Sequence, residues 1–115
     1  MEEAYRRAVE ALKTEGFGIL TEIDVQATMK AKLGIDRPAY KILGACNPQL
    51  AHRALSAEPE IGLLLPCNVV VAATDDGSEV QFADPKEMFK IVENHDLAPL
   101  ADEVGGKLRR ALERI

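Results

Sequence analysis

The chain has no tryptophan, 4% aromatic residues, two cysteines and no dense block of Lys or Arg in its 115 residues. Each scarcity removes a class of function. A nucleic-acid groove needs a basic stripe, usually with stacking rings; a net charge of −5 and so few rings exclude one. No apolar run reaches the ~20 residues that a spanning helix needs, because the longest, Ile61–Ala73, is broken by Pro66 and Asn68. No apolar segment follows "MEEAYRR", so no signal peptide is expected and the chain reads as cytoplasmic. A Gly-rich phosphate loop, Gly-x-Ser-x-Gly and His-Glu-x-x-His are missing as well. The sequence names no cofactor and no catalytic residue.

What is present is an ordinary globular composition, with 47% hydrophobic and 29% charged residues. A chain of this length forms one domain, residues 1–115, and buries roughly 65% of its unfolded surface. Tyr5, Ala8, Val9 and Leu12 make one apolar stripe, which predicts a helix over Glu2–Thr14 that stops at Gly16. Phe17–Ile23 alternates like a strand, and Asp24 can cap a short helix over Val25–Leu33, ended by Gly34. Tyr40–Cys46 reads as a second strand. Asn47-Pro48 then combines a good N-cap with a residue suited to the first helical position, opening a helix to about Ala57.

Ile61–Leu65 and Asn68–Ala73 read as strands whose near-continuous apolar character asks for cover on both sheet faces. Asp75–Ser78 is a hairpin turn into a strand over Glu79–Ala83. Asp84-Pro85 starts a helix carrying Met88, Ile91 and Val92. A final helix places Leu97, Leu100, Ala101, Val104, Leu108, Ala111, Leu112 and Ile115 on one face. Gly105-Gly106 interrupts it at a cost of about 1 kcal/mol per glycine, which close packing or a bend would explain. The expected class is α+β, one layer of helices on a mostly antiparallel sheet.

The two cysteines sit in similar settings, "GACNP" at Gly44–Pro48 and "LPCNV" at Leu65–Val69. If a crossover makes Tyr40–Cys46 and Ile61–Leu65 parallel, Cys46 and Cys67 reach one sheet edge beside the N-terminus of the Asn47 helix. Free N–H groups and the helix dipole there favour an anion or a thiolate. Four readings stay open. Free cysteine is among the most buried residue types, so packed thiols with capping asparagines are the default. The others are a small-ligand or anion site formed by Cys46, Asn47, Cys67 and Asn68 with help from Arg53, a thiol redox pair, and a soft-metal site. The last lacks ligands, because tetrahedral binding needs more than two cysteines. His52 points about 130° from the apolar centre of its helix, so it reads as exposed rather than as a third ligand. His95 reads as a polar residue near a helix end.

The stretches "GFGILTEIDV", "YKILGACNP", "AHRAL" and "EPEIGLLLPCNVVV" resemble a bacterial and archaeal family known as domain of unknown function 302, over roughly Ala8–Ile115. The resemblance implies a curved antiparallel sheet packed with helices, similar to the TATA-binding-protein class and often a homodimer. It tells against the parallel crossover, and it implies no activity, cofactor or site residue. The expected function is a non-enzymatic binding or interaction module, with a thiol-dependent redox or metal-binding protein using Cys46 and Cys67 as the alternative. The expected partners are a second copy and a small molecule or anion, with no nucleic acid and no membrane. Continuous apolar strands that five short helices cannot cover on both faces give the physical reason for the second copy.

Overall fold

The computed structural model describes residues 1–115. Its four strands are β1 (Gly18–Asp24), β2 (Tyr40–Cys46), β3 (Cys67–Thr74) and β4 (Gly77–Phe82), hydrogen-bonded in chain order. Every neighbouring pair is antiparallel. The helices are α1 (Glu2–Thr14), α2 (Val25–Leu33), α3 (Pro48–Ala57), α4 (Pro85–Met88) and α5 (Ala98–Glu113). The α+β class expected from the sequence is what the chain forms.

Local signals act where the sequence puts them. Asp24 accepts from the Ala27 amide at 3.0 Å to cap α2, and Gly34 ends that helix at φ +66°. Asp84 accepts from the Lys86 amide at 3.0 Å and starts α4. Two expectations fail. Pro59–Leu64 is a 3₁₀ turn rather than part of a strand. The Glu58 side chain accepts from the Glu60 amide at 3.1 Å, and Pro59 follows that cap. Only Ile61 of the turn is buried, while Leu63 is 84% exposed. A short apolar run has no period that tells strand from turn. The helix after Asp84 also breaks, into α4 and the 3₁₀ turns Phe89–Val92 and His95–Leu97, with Glu93 between them at φ 48°.

The sheet has two unlike faces. Leu43 and Ala45 of β2 with Val69 and Val71 of β3 are buried in the core against α1, α3 and α5. On the core side of β1, Glu22 hydrogen-bonds Tyr5 of α1 and pushes its hydroxyl pKa up. The Lys41 ammonium lies 4.6 Å from the Tyr5 ring. The alternate residues Ile23, Ile42 and Val70 turn the other way and do not join the core cluster. A register shift between Ile19 and Thr21 leaves Leu20 bulged and 67% exposed.

Glu15 ties the ends of the chain together. Its carboxylate is 3.0 Å from Arg110 and 2.6 Å from Arg114, with its side chain only 9% exposed. Hydrogen bonds from Arg114, then Arg110, hold its carboxyl below the usual carboxylate range.

Two glycines should respond oppositely to alanine. A Cβ on Gly44 would overlap Thr21 Oγ1 and lie 2.7 Å from Pro66 Cγ, so Gly44→Ala should destabilise by about 1–3 kcal/mol in denaturant titration. A Cβ on Gly105 meets nothing nearer than Arg109 Nη1 at 3.6 Å, so Gly105→Ala in the interior of α5 should stabilise by about 1 kcal/mol. Glu15→Gln should lower Tm at pH 7. Because the folded-state pKa is depressed, the wild-type advantage is present above the unfolded value of about 4.3 and is lost as pH falls through the folded one. The two melting temperatures should therefore converge in acid.

Candidate functional site

Cys46 closes β2 and Cys67 opens β3, and antiparallel pairing sets Ala45 opposite Cys67. Both cysteines thus reach one end of the sheet. The parallel crossover expected for this placement is absent; the juxtaposition comes from an antiparallel pair whose connection passes through α3 and the Pro59–Leu64 turn. Leu65-Pro66 is a cis peptide, and the Pro66 ring lies over Gly44.

Asn47 serves the fold. Its Oδ1 accepts from the Leu50 amide at 3.3 Å, and its Nδ2 donates to the Glu15 carbonyl at 3.2 Å. The side chain therefore caps α3 and anchors the end of α1. Asn68 is exposed on the other sheet face, opposite Gly44. Arg53 Nη1 is 2.8 Å from Glu103 Oε2 and lines neither cavity at the cysteines. His52 and His95 are exposed. Nowhere do three His, Cys, Asp or Glu residues gather as a metal cluster.

Cys67 separates two spaces. Inside, it shares with Cys46, Phe17, Leu50 and Val104 a cavity of about 20 Å³, the room of about one water. Outside, it lines a groove of about 280 Å³ whose wall runs from Leu63 to Asn68 and continues through Ala83, Pro85, Met88 and Phe89. No charged residue lines either space. Burial, then the nearby Cys46, pushes the Cys67 thiol up to about 11. Activated cysteines need a cation, a base or an aimed helix end to hold the thiolate; Cys67 has the opposite surroundings.

Sequence reasoning missed a larger hollow of about 510 Å³ lined by Lys86, Lys90, Glu93, His95, Asp102 and five other residues at the start of α5. Its charges are of both signs, and Lys90 is held 3.1 Å from Glu87. The only local signal was the capping Asn94, which also donates to the Ala57 carbonyl at 3.1 Å.

A thiol with a pKa of about 11 is about 0.1% ionised at pH 8, against roughly a quarter of a free cysteine near 8.5. Cys67 should therefore react with iodoacetamide on the order of 100-fold more slowly than free cysteine, with a rate that climbs tenfold per pH unit up to about 10. Mass spectrometry of quenched samples reads this rate for each thiol.

The arrangement has a close structural counterpart. A crystal structure described as an uncharacterized conserved protein DUF302 from Bacillus stearothermophilus superposes with a TM-score of 0.92 at 31% sequence identity, covering 99% of this chain and 89% of that one. No curated protein matches the chain. The family model described as domain of unknown function DUF302 matches residues 1–115, and the chain belongs to that family.

Proposed function

We propose that this chain is a non-enzymatic binding module, working as a homodimer, whose ligand is a small uncharged molecule held in the groove beside Cys67. The groove's uncharged lining carries this reading. At about 280 Å³ it lies near the lower end of small-molecule sites, which are mostly apolar with a few polar groups for orientation. Cys67 and Asn68 are those polar groups. The anion alternative loses its cation, because Arg53 is paired with Glu103 away from the groove. The enzymatic alternative lacks a base, and the raised Cys67 pKa works against a nucleophile.

A second reading rests on one observation, that Cys46 and Cys67 line the same cavity. Two thiols so placed suit a soft ion better than a hard one. Elemental analysis of protein purified from metal-supplemented medium tests it: a bound soft metal supports it and a metal-free protein counts against it.

The second copy is supported by the sheet face whose apolar residues Ile23, Ile42 and Val70 do not pack into the core. The radius of gyration is 15.1 Å, against about 13 Å for a compact domain of this length. The molecule is only 20 Å thick along its shortest axis, the depth of one sheet and one helix layer.

The ligand reading is tested by titrating isotopically labelled protein with neutral aromatic and aliphatic fragments and with small anions. Saturable shifts from neutral fragments are expected at the amides of Leu64, Leu65, Cys67, Asn68 and Phe89, and Met88→Trp should abolish them by filling the groove. Anion-selective binding, or neutral binding confined to the hollow at Lys86–Asp102, overturns the proposal.

A further inference from the structure

The sheet face turned away from α1, α3 and α5 is arranged in rows by the strand register. The top row is Tyr40, Ala72 and Glu79; the middle row is Ile23, Ile42, Val70 and Gln81; the lower row is Thr21, Gly44 and Asn68. None of these residues joins the core cluster, and Ile23 is 50% exposed. The apolar centre therefore lies across β1, β2 and β3.

Charge is divided across the same face. On the β2 side, the Arg37 guanidinium stacks 5.0 Å from the Tyr40 ring and has no ion-pair partner. On the β4 side, Asp75, Asp76 and Glu79 have none either. Glu79 Oε1 accepts from Gln81 Nε2 at 3.2 Å, which keeps both side chains on this face. The cation and the anions stand at the same end of the strands, on opposite sides of the sheet's midline.

We propose that two copies stack these faces about a two-fold axis running along the strands between β2 and β3, placing Arg37 of each copy on Glu79 of the other. The proposal rests on the homodimer reading and specifies its geometry. Such an axis reverses each row onto itself. Ile42 then meets Val70 of the second copy and Tyr40 meets Ala72, each twice, while Ile23 lies over Gln81 and Arg37, beside Tyr40, reaches across to Glu79. This is the self-complementarity that an isologous interface requires. A two-fold axis across the strands would lay the charged top row on the uncharged lower row and leave all these charges unmatched. Face-to-face sheets keep their strands within about 30° of each other, so the reversed rows stay in reach.

Size sets the expected strength. Four strands at about 4.8 Å and seven residues at about 3.3 Å give a face of roughly 19 by 23 Å, or about 440 Å² flat. A standard interface buries about 800 Å² per partner, so the rim must contribute and the charges there matter.

Light scattering and sedimentation of the full chain across the micromolar range test this. The wild type should have twice the 12.5 kDa chain mass. Val70→Glu, or Ile23→Glu at its more exposed site, should give a folded monomer by circular dichroism. Arg37→Glu alone and Glu79→Arg alone should each raise the dimer Kd about tenfold, and the double swap should return it to within about threefold of wild type. A monomeric wild type would overturn the homodimer itself. A dimer indifferent to Val70→Glu and Ile23→Glu, or one whose single charge variants the swap does not rescue, would instead overturn this arrangement and leave the homodimer standing.

Discussion

The antiparallel pairing of β2 with β3 is the constraint on which the rest of the molecule depends. Setting Leu43 opposite Val69 and Ala45 opposite Cys67 sends one alternate set of side chains into the helices and the other set away from them. The core set is closed by Leu12 of α1, Leu50 and Ala54 of α3, and Leu100, Val104 and Leu108 of α5. A slip of one residue would exchange the faces, turning Ile42 toward the helices and exposing Leu43. Gly44 belongs to the same constraint, since only a residue without Cβ lets Thr21 and Pro66 close over the sheet there.

The chemistry at the cysteines follows from that packing. The strand end that carries Cys67 is roofed by Phe17, Leu50, Leu100 and Val104, none of which can stabilise a thiolate. The thiol is held neutral by the same burial that contributes to stability. The start of α3 offers free amides, but Asn47 takes the Leu50 amide and ties itself to Glu15. An uncharged groove beside a neutral thiol offers no partner to a buried charge, whose desolvation would go uncompensated there.

The two sheet faces divide the work. One gives Leu43, Ala45, Val69 and Val71 to the core of eighteen buried apolar residues, and the other keeps an apolar middle with charge at its margins. An antiparallel sheet commonly leaves one face to water, but such a face is then polar. Ile23, Ile42 and Val70 in one row depart from that pattern, and Arg37 and Glu79 stand at its rim without ion-pair partners. The helix α2 has no buried residue at all and stands outside the core.

Much of the local structure was determined by the sequence alone. Caps at Asp24, Asn47 and Asp84, the stop at Gly34 and the periodic stripes of α1 and α5 act within a few residues, so their outcome can be read from neighbours. The nearness of Cys46 and Cys67 was anticipated for a reason that did not hold, because strand direction is a property of partners far apart in the chain. The turn at Pro59–Leu64 was misread because the short apolar run Ile61–Leu65 carries no period. Tertiary structure alone decided which alternate set on β2 and β3 met the helices, what closed over Gly44 and which groups surrounded the Cys67 sulfur. Those outcomes depend on register and on the desolvation that register imposes, and neither is encoded in any short stretch of residues.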